Sequence, residues 1–271
     1  MRGVDISHYQ KGLSIKQIKD AGNEFAIIKL TEGNFLIDNA AFAFYHEAYE
    51  LGFPVGCYCY SHAVTPEQAR REAEFLLKTI NGFPMPCGIF LDVEEPKMLE
   101  LGYPALMSVL TTWCDAIKAA GYVPGIYSSE YNLWATISPE DLPGDTLVWV
   151  AHYGKAPDIP CDLWQDSDSG SVPGFIGKVD TDVVRSDRLK KLVQSDQTHM
   201  PCHGDTGPQG DPGVTDSDII PSDPRIAILE LLMANDGFYT GEPDGRFTEE
   251  FRSSFSEYAR IILGVKEIGG S

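Results

Sequence analysis

Eight short apolar, β-rich runs punctuate the first 185 residues, at 2–6, 25–30, 54–60, 87–93, 122–127, 146–151, 161–165 and 178–183. Helical patterns separate the early ones, at 14–21, 39–51, 66–80 and 104–120. In 66–80, Pro66 occupies the first turn after Thr65, a good N-cap, and Ala69, Ala73, Phe75, Leu76, Leu77 and Ile80 give a helical stripe. Strands alternating with helices predict a parallel sheet. Eight strands in so short a stretch point to a closed barrel rather than an open sheet. The last three lie too close together for helical crossovers. A regular barrel of eight βα units needs about 250 residues, so an abbreviated α/β barrel is expected.

The texture changes near position 195. Residues 1–194 carry 16 basic and 26 acidic side chains, a net of −10. Residues 195–271 carry 5 and 14, a net of −9 over a much shorter length. The stretch 195–223 is rich in Gly, Pro, Asp and Ser, as linkers are. Gly204, Gly207, Gly210 and Gly213 give it a short collagen-like period, too brief to hold a triple helix alone. Beyond it, 224–271 reads as a small helical domain. Ile226, Leu229, Leu232 and Met233 share one face, and Phe251, Phe255, Tyr258, Ile261 and Ile262 another. So small a unit needs outside support, from the barrel or from self-association. The expected division is therefore 1–194 barrel, 195–223 linker and 224–271 small helical module.

A total charge of −19 disfavours a nucleic-acid partner, because phosphate binding needs clustered Lys and Arg. Apolar runs are far short of the ~20 residues a membrane helix requires, so no membrane partner is expected. No basic and apolar leader precedes the first strand, so synthesis in the cytoplasm without a signal peptide is expected. Of the six cysteines, five sit in apolar segments and read as reduced core thiols. No paired CxxC occurs, and His199, Cys202 and His203 lack a second ligand cluster. No metal and no cofactor are expected.

The chemistry gathers in Gly88-Ile89-Phe90-Leu91-Asp92-Val93-Glu94-Glu95-Pro96, a buried strand that ends in acids. Asp92 and Glu94 are two apart, so on a strand both point to one face. In a barrel that is the interior, near the C-terminal rim where active sites form. Two carboxylates forced together raise the pKa of one, and a protonated acid beside an ionised one suits glycosidic cleavage. A solvated, inert acidic loop is the competing reading of so short a pattern. Asp5 lies in an apolar first strand, and Asp180 and Asp182 in the last. First and last strands are neighbours in a closed barrel, so these acids can share a rim with Asp92 and Glu94. Tyr58, Tyr60, Tyr127, Trp149, Tyr153 and Trp164 fall at or near strand ends. Singly they read as core; beside a carboxylate cluster they favour a saccharide groove, and Asp182 joins them as a substrate-binding candidate.

Residues 1–190 resemble the glycoside hydrolase family 25 muramidases, the Chalaropsis-type lysozymes common among phage endolysins. The resemblance rests on Gly-Val-Asp-Ile-Ser at 3–7, Phe-Ala-Ile-Ile-Lys-Leu-Thr-Glu-Gly at 25–33 and Phe-Leu-Asp-Val-Glu at 90–94. Gly-Ile-Tyr-Ser at 125–128, Leu-Trp-Gln at 163–165 and Val-Pro-Gly-Phe-Ile-Gly-Lys-Val-Asp at 172–180 continue it. It implies an irregular (β/α)5β3 TIM-like barrel and hydrolysis of the β-1,4 bond from N-acetylmuramic acid to N-acetylglucosamine in peptidoglycan. It implies Glu94 as proton donor, Asp92 as its partner, and Asp5 and Asp180 as supporting acids, with Asp182 on a more variable position. The nucleophile stays open between the substrate's N-acetyl carbonyl and an Asp. Cys59 departs from the family, which commonly has His between two aromatics there, and the departure bears on subsite contacts.

Gly237-Phe238-Tyr239-Thr240-Gly241-Glu242-Pro243-Asp244-Gly245-Arg246-Phe247-Thr248 is similar to the turn of a helical peptidoglycan-binding domain. The Gly that should follow Phe247 is missing, so a capping or oligomerisation module competes with wall binding. An EF-hand loop around Asp244 fits worse, because its first and twelfth ligands are wrong. The leading expectation is an endolysin-type muramidase that acts on the cell wall after release. A chitinase-like hydrolase is disfavoured because Cys87 and Phe90 stand where that motif needs Asp. A non-catalytic wall-binding protein is disfavoured by the intact acids. Gram-positive walls are anionic, so an acidic 195–271 should bind by hydrogen bonds and stacking. Cosedimentation with purified walls is expected to hold or strengthen as salt rises to physiological levels; a steep loss would indicate attraction between opposite charges instead.

Overall fold

The computed structural model describes residues 1–80 and 82–195. In chain order the elements are β1 (Arg2–Ile6), α1 (Ile15–Asp20), β2 (Phe25–Glu32), β3 (Leu36–Ile37), α2 (Ala41–Glu50), β4 (Val55–Tyr60) and α3 (Pro66–Ile80). They continue with β5 (Ile89–Asp92), α4 (Pro96–Leu99), α5 (Tyr103–Ala119), β6 (Pro124–Ser129), β7 (Leu147–Ala151), β8 (Leu163–Gly170), β9 (Val179–Val184) and α6 (Asp187–Val193). The expected linker beyond Ser195, its collagen-like tract, the helical module and Cys202 lie outside the described residues. So does the C-terminal region through which a homo-oligomer was expected.

The sheet runs β1-β9-β8-β7-β6-β5-β4-β2-β3, and β1 also pairs with β2. That last pairing closes eight strands into a barrel and leaves β3 as a short hairpin outside the ring. All eight expected strands are present. β1, β2 and β4 to β8 are parallel neighbours, whereas β9 is antiparallel to both β8 and β1. The segment 171–178 before β9 is too short for a crossover helix, so the chain turns back as a hairpin. The (β/α)5β3 formula gives the fifth connection a helix. Here two 3-10 turns, Leu133–Ala135 and Pro139–Asp141, take its place, because Pro139 and Pro143 interrupt the segment.

The interior is filled by pairing large with small residues across adjacent strands. Phe25 lies in register with Gly3, Ile27 with Gly56, and Phe90 with Gly125. A Cβ on Gly3 would sit 2.5 Å from the Phe25 ring, and one on Gly125 2.2 Å from Phe90. Leu147, Trp149 and Leu163 complete the core, and Leu189 and Val193 of α6 close it at the N-terminal end. Asp162 holds that plug in place. It accepts from Val148 N at 2.9 Å, Ser186 Oγ at 2.6 Å and Arg188 Nη2 at 2.5 Å. Outside the barrel, α1 packs against α2, and α3 against α5. Thr65 caps α3 as expected, accepting from Gln68 N at 3.3 Å. Helices α4 and α6 escape a periodicity reading because each spans two turns or fewer.

Cys57, Cys59, Cys87 and Cys114 are buried, and Cys161 is half-buried; all five are free thiols. Among the described residues no helix is long and apolar enough to cross a membrane. Among the same residues no group of His, Cys, Asp or Glu is arranged to hold a metal ion. Gly125→Ala forces a methyl into the Phe90 ring and is expected to cost about 1–3 kcal/mol. A urea-unfolding midpoint equal to that of the wild type would contradict this packing.

Candidate active site

The C-terminal ends of the parallel strands form the mouth of the barrel, and four acids meet there. Asp5 is near the end of β1, Asp92 is the last residue of β5, and Glu94 follows two residues on. Because β9 runs backwards, its first residues arrive at the same mouth, and Asp180 lies directly opposite Asp5 in register. Asp182 sits one layer deeper, opposite Gly3 on β1 and Gln165 on β8.

The backbone that carries Glu94 is pinned on both sides. Ser61 N–H donates to Asp92 O at 3.1 Å, and Val93 N–H to Tyr127 O at 2.9 Å. Ser128 Oγ donates to Val93 O at 2.7 Å. Buried Glu72 of α3 in turn accepts from Ser61 Oγ at 2.7 Å and His62 N at 3.0 Å. A strand end that would otherwise fray is thereby held by neighbouring elements.

Burial and mutual repulsion push every one of these carboxyls upward. Asp5 reaches about 8, first through burial and then through Asp180, against the hydrogen bond from Gln165. Asp180 rises to about 6 through burial and then Asp168, with Lys178 working the other way. Glu94, half-buried, is raised by burial and then by Asp180. Asp92 is raised well above its ordinary range by burial and then by Glu94, with Lys29 opposing. Asp182 is raised by burial and then by Asp5. A cluster of this kind keeps protons on some members while others ionise, as acid–base cleavage requires.

The aromatic candidates divide into three groups. Tyr58, Tyr60, Tyr127 and Tyr153 surround the acids. Tyr127 and Tyr153 both donate their hydroxyls to Gln165 Oε1, at 2.9 and 3.1 Å, and Gln165 Nε2 donates to Asp5 Oδ2 at 2.8 Å. Tyr60 faces His62 and lies beneath Lys29 Nζ. Trp149 and Asp182 form the floor. Trp149 is 1% exposed and Asp182 0%, joined by an indole N–H to Oδ1 bond of 2.8 Å. Neither is open to a sugar, which corrects the expectation that both bind substrate. Trp164 alternates with inward-facing Leu163 and Gln165, so it faces out of the barrel. Its indole bonds His152 O at 2.7 Å and lies against Arg185. Cys59, between Tyr58 and Tyr60, points away from the mouth and is buried, so its departure from the family pattern leaves the groove untouched.

Sequence reasoning singled out no role for Lys29, Glu32, His62, Glu95 or Gln165. Lys29 Nζ bonds Glu32 Oε2 at 2.8 Å, and His62 stands between Glu32 Oε1 at 3.2 Å and Glu95 Oε2 at 3.3 Å. Lys29 is a buried cation that directly follows the apolar run 25–28, and that anomaly was the available signal.

The family model described as glycosyl hydrolases family 25 matches residues 4–175. The autolytic lysozyme of Clostridium acetobutylicum is 32% identical over 189 residues, covering 67% of this chain and 55% of that protein. The chain thus spans about half the length of that relative. A lysozyme of Streptomyces globisporus is 26% identical over 215 residues, covering 73% of this chain and 72% of that one. The catalytic domain of an endolysin from a Listeria monocytogenes bacteriophage superposes with a TM-score of 0.64 at 27% identity, covering 72% of this chain and 98% of that one.

The raised acids tie stability to pH. Asp5 binds its proton more tightly folded than unfolded, so its favourable contribution is complete below about 4. It is lost as pH rises through about 8. Asp5→Asn removes this dependence. Its stability relative to the wild type should improve by about 1–3 kcal/mol between pH 5 and 8.5 in paired thermal melts. A difference that does not change with pH would show that Asp5 is not held in this way.

Proposed function

The chain belongs to glycosyl hydrolases family 25, and from that premise we propose that it is an endolysin-type N-acetylmuramidase. The proposed reaction is hydrolysis of the β-1,4 bond between N-acetylmuramic acid and N-acetylglucosamine in bacterial peptidoglycan. The observation that carries this reading is the meeting of Asp5, Asp92, Glu94 and Asp180 at one barrel mouth, ringed by tyrosines. The lysozyme relatives support the same substrate class.

Glu94 is the proposed general acid. Its pKa, raised by burial and by Asp180, lets it hold a proton for the leaving oxygen to higher pH than an ordinary carboxyl would, and its half-buried place beside the mouth lets a sugar reach it. After bond cleavage the same carboxylate activates water. Asp92 is buried and its pKa is pushed upward, which weakens it as a direct nucleophile. Attack by the substrate's own N-acetyl carbonyl is the proposed alternative. Asp180, ionised above about 6 and open to the mouth, receives the acetamido N–H and steers it. Asp5 and Lys29 fix the charge around these two. Tyr58, Tyr60, Tyr127 and Tyr153 offer ring faces and hydroxyls to the glycan.

Residues 195–223 are proposed as a spacer, and 224–271 as a wall-attachment or assembly module. The proposed site of action is the cell wall, after release from the cell that makes the protein.

Glu94→Gln tests the assignment. Lysis of purified peptidoglycan, followed by turbidity, should fall by about 10²–10⁴-fold while circular dichroism stays unchanged. Mass analysis of wild-type digests should find N-acetylmuramic acid at the new reducing ends. N-acetylglucosamine there would move the reading to another hexosaminidase, and no new ends at all would leave a wall-binding protein.

A further inference from the structure

Asp182 is a carboxyl group that the proposed chemistry leaves unused. With no exposure it meets neither water nor sugar. Its Oδ1 accepts the Trp149 indole N–H at 2.8 Å. Its Oδ2 finds no donor among the described residues, and the group within hydrogen-bonding reach of it is the carboxyl of Asp5. The elements packed around it bring no compensating charge. Gly3 of β1 and Gln165 of β8 oppose it in register, Trp149 comes from β7, and Asp180 on its own strand adds repulsion. Gln165 gives one amide N–H to Asp5, and its other reaches no bond with Asp182 Oδ2.

Two carboxylates cannot face each other in a dry barrel without a proton between them. One shared proton turns the repulsion into a short, strong O–H···O⁻ bond. Asp5 is nearer the mouth and already accepts from Gln165, so it is the better place for the negative charge. We propose that Asp182 is a positioning residue: it keeps its proton on Oδ2 and donates it to Asp5, which makes Asp5 the member of the pair that ionises. The direction in which burial pushes Asp182 agrees with this. The proposal rests on the muramidase reading for its effect on rate, although the shared proton itself does not depend on it.

The sign of a pH shift separates the alternatives. If Asp182 is a neutral donor, Asp182→Asn supplies an amide N–H in its place. The limb of the lysis profile governed by Asp5 then stays within a few tenths of a pH unit of wild type. Asp182→Leu removes the donor, so Asp5 ionises less readily and the limb moves up by about one pH unit or more. If Asp182 were ionised, both variants would relieve repulsion and move the limb down, and the proposal would fall. An unmoved limb in Asp182→Leu would end it too. NMR of carbon-13-labelled aspartate gives a readout that needs no activity. Among the carboxyl signals that stay protonated through neutral pH in the wild type, one should be missing from Asp182→Asn. If Asp182→Leu does not fold, this comparison decides alone, and a set of protonated signals unchanged in Asp182→Asn overturns the proposal. Wild-type protein that leaves walls intact but shows the signal would count against the muramidase reading instead.

Discussion

The mouth of this barrel depends on one strand running backwards. A parallel β9 would deliver its first residues to the plugged end beside α6, far from Asp5. The short hairpin before it forces the reverse direction, and Asp180 therefore lands opposite Asp5. The same reversal sets Asp182 one layer below, under the indole of Trp149. Closure of the ring and assembly of the acid cluster are thus a single event. The pairing of β1 with both β2 and β9 serves both.

Much of this could be read from the chain. Strands such as β2, β5 and β7 announced themselves through short apolar runs, because a strand buried on both faces has few polar positions to spare. The acids stood out for the complementary reason: Asp5 and Asp92 interrupt apolar runs. What could not be read was depth. Period-two alternation tells which face a residue takes. It does not tell how far the residue lies from the rim, so Trp149 and Asp182 passed for groove residues although they are its floor. Trp164 failed on the face itself, because its nearness to a strand end was weighed without the inward Leu163 and Gln165 on either side. Lys29, His62 and Gln165 work through partners distant in sequence, which no local pattern displays.

The glycine–phenylalanine pairs and the acid cluster pull in opposite directions. Phe25 and Phe90 fill the barrel against Gly3 and Gly125, and that dense apolar floor strengthens the fold. It also desolvates the carboxyls above it, which costs stability at neutral pH and above. The protein accepts this cost at its active site, where shifted proton affinities are useful. Pinning the Glu94 backbone through Ser61, Ser128 and Glu72 keeps a repelling cluster from splaying its own strand ends apart.

Gln165 joins Asp5 to Tyr127 and Tyr153 with three hydrogen bonds, and it is an amide. A carboxylate or imidazole there would relay protons between the phenols and the buried pair. An amide cannot do so without breaking its own conjugation, so it acts as an insulator. The inner acids are wired for position and cut off for conduction on that side. Their protons must come and go through the open mouth, where the substrate itself stands while it is bound.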